Sequence, residues 1–172
     1  FDFAEVMARV HTVISKVEPH DSIERYTKLG VECIQGAAEI LSPFEVKVNG
    51  RVLTTKSIII ATGARPFVPP IKGMELITPL TSDSVWGLSE LPKRLVVLGG
   101  GPIGCELAQC FARFGSEVTQ VEMAPKLMGR EDPEVAEMVA RKFKNEGIRV
   151  LTGHAATEIR VEAGQKTLLC NA

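Results

Sequence analysis

The sequence predicts an α/β fold organised on a parallel sheet, and three observations carry that expectation. Residues 95–98 (Leu-Val-Val-Leu) form an unbroken apolar run rich in β-branched side chains, as in a strand buried on both faces. Directly after it, Gly99, Gly101 and Gly104 fall in a Gly-x-Gly-x-x-Gly spacing, with Pro102 where a helix can begin. Ile103, Leu107, Phe111 and Phe114 then recur at helical spacing up to Gly115, and residues 117–121 alternate as a second strand ending on Glu122.

Strand, glycine turn, helix, strand and acid in that order point to a dinucleotide site of Rossmann type. The first glycine permits the tight bend, the second lets backbone approach a pyrophosphate, and the third lets helix and strand pack closely. Free N–H groups and the positive end of the helix dipole favour the phosphates. Glu122 lies on the order of twenty residues past Gly101, where such folds place an acid to accept hydrogen bonds from the adenosine ribose. A carboxylate there repels a 2′-phosphate, which favours NAD over NADP, although Lys126 stands close by in sequence.

Composition narrows the classes. In 172 residues, 45% are hydrophobic, enough for a core, and 24% are charged, suiting a soluble surface. A net charge of −1 with scattered basic residues offers no footprint for nucleic acid. No apolar run has the length to cross a bilayer and no signal peptide opens the chain, so neither membrane nor export is expected. Phe1 begins directly inside a helix pattern, which suggests a fragment or an expressed domain. Cys33, Cys105, Cys110 and Cys170 do not form a secreted disulfide pattern and fit a reducing cytoplasm. Cys105 and Cys110 would be separated by about 500° on a helix, so they are expected to pack rather than pair. His11 and His20 have no ligand-spaced partner, and no metal site is expected.

In chain order, Asp2 and Glu5 form a capping-box pattern opening a helix whose apolar face is Phe3, Val6, Met7, Val10, Val13, Ile14 and Val17. Asp21 opens a second helix that Gly30 closes. Strands are expected over 31–34, 38–41, 44–48 and 51–54, the last two flanking Asn49-Gly50, a type I′ hairpin signal. Residues 57–61 read as a buried strand running into Thr62-Gly63-Ala64-Arg65-Pro66, where small residues mark either a plain turn or close backbone approach to a ligand. Residues 64–80, with four prolines, form a stiff connector and a domain boundary. Thr81-Ser82-Asp83 caps a short helix with Val85, Trp86 and Leu88 as packing residues. Asp132-Pro133 starts a further helix with Val135, Met138, Val139 and Phe143 inward and Gly147 at its end. Residues 148–152 form a third parallel strand, and 157–161 and 166–170 flank Ala163-Gly164 as the start of a β-meander.

Together, Ala61-Thr62-Gly63-Ala64-Arg65-Pro66, Thr81-Ser82-Asp83, Leu91-Pro92-Lys93-Arg94 and the glycine turn with Glu106 resemble the flavoprotein pyridine nucleotide-disulfide oxidoreductases. The run from Gly129 to Pro133 is most similar to the mercuric reductase-like and dihydrolipoamide dehydrogenase-like members. The resemblance implies that residues 1–80 are the C-terminal part of an FAD-binding domain. It also implies that 81–172 are an NAD(P)-binding Rossmann domain cut short at its C-terminal end. By the same resemblance Ala38, Ala61, Thr62 and Gly63 would meet FAD. Gly101, Pro102 and Ile103 would line the path of the nicotinamide cofactor, and Ala155 would lie near its adenine. Glu106 matches an acid that pairs with a lysine beside the flavin, or else is a surface carboxylate suited to a first helical turn.

The family's FAD-phosphate glycine motif, its Cys-x4-Cys redox pair, that lysine and the C-terminal His-Glu pair do not appear in the sequence. The resemblance implies hydride transfer from NAD(P)H to FAD and onward to a disulfide or related acceptor, in a complete protein that is a homodimer. The alternatives are a nucleotide-binding module without turnover, or part of a ferredoxin reductase or NADH oxidase-type flavoprotein.

Overall fold

The computed structural model describes residues 1–172 and divides them into two compact units, Arg9–Arg65 and Phe1–Ala8 with Pro66–Ala172. Helix α1 (Phe3–Val17) starts as its capping pattern requires, with the Asp2 carboxylate accepting from the Ala4 amide at 2.8 Å. Its first two turns bury Phe3 and Met7. Phe3 forms an aromatic cluster with Phe1, Phe111 and Phe114, the ring centroids 5.4 to 6.4 Å apart.

In the Arg9–Arg65 unit, a 3-10 turn (Glu18–Asp21) precedes α2 (Ile23–Lys28). The cap of α2 is Ser22, whose hydroxyl accepts from the Arg25 amide at 3.2 Å, rather than Asp21, which ends the 3-10 turn. Gly30 closes α2 at φ 86°, and the Val31 amide reaches back to the Tyr26 carbonyl at 3.0 Å. An antiparallel sheet follows: β1 (Ala38–Ser42), β2 (Glu45–Val48) and β3 (Arg51–Thr54). Asn49 at φ 51° and Gly50 at φ 77° make the expected type I′ turn. Two expected strands are not formed. Residues 31–34 and 57–61 have no ladder partner, and a strand exists only through its neighbour's hydrogen bonds. Far from being buried, Ile59 is 89% and Ile60 69% exposed.

In the larger unit, the connector is tied down where the Ile159 amide donates to the Lys72 carbonyl at 2.7 Å. Gly73, at φ 82°, lies so close to the Ile159 carbonyl that no side chain would fit. The helix expected after Thr81 is a single 3-10 turn (Val85–Gly87). Val85 is buried, but Trp86 is 42% exposed with its indole N–H on the Ser82 carbonyl, so it is not the core residue expected.

Three parallel strands, β4 (Arg94–Leu98), β5 (Glu117–Glu122) and β6 (Arg149–Thr152), form a sheet with β5 central. The crossovers are α3 (Pro102–Arg113) and α4 (Pro133–Asn145), ended by Gly115 at φ 100° and Gly147 at φ 76°. β4 is not buried on both faces as expected: Val96 and Leu98, which share one face of the strand, are exposed. The buried face of α3 is Cys105, Ala108 and Phe111, and Ile103 faces solvent. In α4 it is Ala136 and Phe143 that go inward, while Val135 and Met138 are exposed. Finally, β7 (Ala155–Glu162) and β8 (Gln165–Asn171) form a hairpin turning at Ala163 (φ 49°) and Gly164 (φ 78°). No helix is long and apolar enough to cross a membrane.

Candidate functional site: the glycine turn at the end of β4

The glycine turn joins β4 to α3, and each of its residues has a local reason. Gly99 sits at φ 104°, a region that side chains rarely adopt, and its amide donates to the Val121 carbonyl at 2.8 Å. Gly104 lies in the first turn of α3, where a Cβ would come 2.6 Å from the Gly99 carbonyl oxygen. At Gly101 a Cβ would meet nothing within 4 Å. The first glycine is therefore required by its backbone conformation and the third by the protein's own packing. The second is not, and it leaves open space where backbone can meet a ligand.

Gly101 caps α3 with φ −77° and Pro102 occupies the first turn. The amides of Gly101, Ile103 and Gly104 have no acceptor within the protein, as geometry dictates for the start of a helix. All three residues are at least partly exposed. They form a short row of free donors at the positive end of the α3 dipole.

Glu122, at the end of β5, faces this turn. One carboxylate oxygen accepts from the Gly100 amide at 2.5 Å and the other from the Ala124 amide at 2.6 Å. An ionised carboxylate offers about four lone-pair positions, so two stay available. Residues 123–131 fold back over the turn: the Met128 amide donates to the Gly100 carbonyl at 2.7 Å, and Leu127 is fully buried beside Gly100. Lys126 turns aside, its ammonium on the Glu131 carbonyl at 3.3 Å. After β6, the His154 amide donates to the Glu122 carbonyl at 3.0 Å, which seats Ala155 close to the same strand end. Gly99, Gly101, Pro102, Ile103, Gly104, Glu122 and Ala155 are thus brought to one end of the parallel sheet.

Other candidate residues lie elsewhere. Ala38 opens β1, and Ala61, Thr62 and Gly63 are exposed, extended backbone with Gly63 at φ 68°. Glu106 is exposed on α3. All four cysteines are free. Burial pushes the Cys105 thiol above its ordinary pKa, with nearby Glu122 and Glu106 adding to the rise. Cys110 is exposed rather than packed, because the inward face of α3 falls on Cys105, Ala108 and Phe111.

One residue escaped the sequence reading. Gln120 on β5 is completely buried beneath the turn, its side-chain N–H donating to the Gly99 carbonyl at 2.8 Å. The available signal was its parity with Val118, which puts both on one face of β5.

The parallel sheet in sequence order, with a glycine turn and an acid at its C-terminal edge, defines a dinucleotide-type α/β unit. Residues 3–171 match the pyridine nucleotide-disulphide oxidoreductase family, and the chain belongs to it. It is 35% identical over 166 residues to a mercuric reductase of Staphylococcus aureus, covering 96% of this chain and 30% of that protein. A dihydrolipoyl dehydrogenase of Acholeplasma laidlawii is 36% identical over 156 residues, covering 88% of this chain and 46% of that protein. Among solved structures, the HOCl-induced flavoprotein disulfide reductase RclA of Escherichia coli superposes with a TM-score of 0.78 at 31% identity, covering 98% of this chain and 39% of that one. The chain spans about a third to a half of the length of these relatives.

Proposed function

We propose that this chain is the nicotinamide-dinucleotide-binding portion of an FAD-dependent oxidoreductase that passes hydride from NAD(P)H to FAD and on to a disulfide or related acceptor. Residues 81–172 are the NAD(P)-binding domain in this reading, and residues 1–80 contribute to an FAD-binding domain. The observation that carries it is the Glu122 carboxylate bonded to Gly100, beside a row of unpaired amides at Gly101, Ile103 and Gly104.

The residues fit a dinucleotide. The open space at Gly101 admits a pyrophosphate, the free amides donate to it, and the spare lone pairs of Glu122 accept from ribose hydroxyls. Ala155 borders the adenine end. When bound, the nicotinamide supplies the hydride and FAD accepts it, while the protein's share is orientation and electrostatics. Toward FAD the chain offers backbone at Ala38, Ala61, Thr62 and Gly63. Glu106 is proposed as the partner of a lysine near the flavin. The carboxylate of Glu122 selects NAD over NADP, and Lys126, engaged with Glu131, does not offset it. The complete protein is proposed to be a cytoplasmic homodimer.

The second reading, a binding module without turnover, is favoured by the cysteines: all are free, Cys105 is buried and Cys110 points out from the opposite side of α3. Fluorescence titration of the chain with NADH and NADPH tests the first reading. Tighter NADH binding that is lost in Glu122→Ala is expected, whereas tighter NADPH binding or an unchanged Glu122→Ala would overturn the ribose assignment. NADH-dependent dye reduction with added FAD separates the two readings, since turnover by the chain alone excludes the module.

A further inference from the structure

The carbonyls of the glycine turn are held by three groups of the protein itself, two of them buried. The Gly99 carbonyl accepts from the Gln120 side-chain N–H at 2.8 Å. The Gly100 carbonyl accepts from the Met128 amide at 2.7 Å and from the Cys105 thiol at 3.4 Å. Gln120 also lies against that thiol, its N–H 3.5 Å from the sulfur. Val118 and Gln120 share the inward face of β5, and Gln120 is among the largest fully buried side chains of the protein. Burying a primary amide is unfavourable unless its hydrogen bonds are made, and an apolar residue of that size would fill the same space. The donor on Gln120 therefore matters for what it holds.

What it holds is the orientation of one peptide plane. With the Gly99 carbonyl drawn inward toward Gln120 and the Gly100 carbonyl drawn toward Met128 and Cys105, the turn runs into α3 with its next amides outward. A Cβ at Gly104 would press on the Gly99 carbonyl at 2.6 Å and on the Gln120 amide nitrogen at 3.4 Å, so all three groups form one packed unit. We propose that Gln120 is a positioning residue for dinucleotide binding, pinning the Gly99 carbonyl from inside the sheet so that the free amides of the turn are set before the ligand arrives. The inference rests on the dinucleotide reading of the turn. Preorganisation of this kind strengthens binding by removing the cost of ordering the loop.

Three arms test it, each read by NADH titration alongside thermal melting. Gln120→Met keeps the length and apolar bulk but removes the donor, and is expected to raise the NADH Kd about tenfold or more while the variant stays folded at the assay temperature. Gln120→Glu places an acceptor against an acceptor when ionised, a state that burial displaces toward higher pH, so the titration runs from acid to alkaline pH. Once protonated it can donate to the Gly99 carbonyl, so its affinity relative to the unmodified chain should recover as pH falls. The titratable groups around this position are Cys105 on α3 and Glu122 at the end of β5; both are present in the unmodified chain, so the ratio isolates residue 120. In the unmodified chain, the Gln120 side-chain protons should resist hydrogen exchange while the Gly101 amide exchanges quickly.

A Gln120→Met variant that melts lower but binds NADH as tightly as before would show a purely structural role and overturn the proposal. So would a Gln120→Glu variant whose relative affinity does not change with pH, or rapid exchange of the Gln120 side-chain protons. If the unmodified chain binds neither NADH nor NADPH, it is the dinucleotide reading that fails.

Discussion

Alanine at Gly104 and alanine at Gly101 should have opposite signatures, because the two glycines are present for different reasons. At Gly104 a Cβ would sit 2.6 Å from the Gly99 carbonyl oxygen, about 0.8 Å inside ordinary van der Waals contact. Overpacking of this kind costs about 1–3 kcal/mol, partly offset by about 1 kcal/mol of helix propensity gained on replacing glycine. Because the obstacle is a backbone carbonyl and not a flexible side chain, the upper end of that range applies and the net loss is about 2 kcal/mol, which lowers the melting temperature by roughly 6–12 °C in a unit of this size. At Gly101 the new methyl meets nothing, and φ −77° suits alanine. The stability cost is that of a poorer helix cap, below about 1 kcal/mol. The methyl nevertheless stands where the proposed site would receive a pyrophosphate, so the NADH Kd should rise by about tenfold or more. Thermal melts and NADH titrations of both variants check the pair. A Gly101→Ala chain that binds NADH normally, or a Gly104→Ala chain as stable as the original, would refute the division of roles.

Other consequences follow from separate parts of the chain. Hydrogen bonds from Arg113 first and then Gln109 hold the Glu146 carboxylate at a pKa of about 2, against a smaller upward push from burial. A lowered folded-state pKa means its contribution is full above the ordinary carboxylate pKa and is lost as pH falls toward about 2. Glu146→Gln should therefore flatten the fall of melting temperature across that window, and an unchanged acid limb would contradict it. Gly50→Ala puts a side chain at φ 77° with free space around it, so its cost is purely conformational, about 1–2 kcal/mol. Hydrogen exchange should speed up in β2 and β3, and unaltered protection there would count against the turn assignment. With iodoacetamide on the native chain, Cys33 and Cys110 should label and Cys105 should not; peptide mass spectrometry showing modified Cys105 would contradict its burial.

What the sequence made legible were features fixed by short-range chemistry. Asp2 at a helix start, Asn49-Gly50 between two strands, Pro102 after the glycines and Gly115 after a helix each specify backbone locally, and each is found where expected. The order of strand, turn, helix, strand and acid gave the parallel sheet and the place of Glu122 within it. Features that depend on neighbours were not legible. Residues 57–61 have the composition of a buried strand, but composition cannot supply the adjacent strand whose hydrogen bonds would make it one. Val135 and Met138 match the helical period of α4, yet the face that packs is rotated toward Ala136 and Phe143 because β6 approaches from that side. Ser22 rather than Asp21 caps α2, since the preceding Pro19 draws residues 18–21 into their own turn. Gln120 was hidden by its polarity: alternation marks the position as inward, but only the location of the Gly99 carbonyl explains an amide there.

The most direct test of the account is a residue-resolved NMR titration of the 15N-labelled chain with NADH. The amides of Gly101, Ile103 and Gly104 should shift first and furthest, together with those of Glu122 and Ala155, and NADPH should produce the same pattern only at higher concentration. Shifts confined to other parts of the chain, with the glycine turn silent at saturating NADH, would contradict the claim that these amides receive the pyrophosphate.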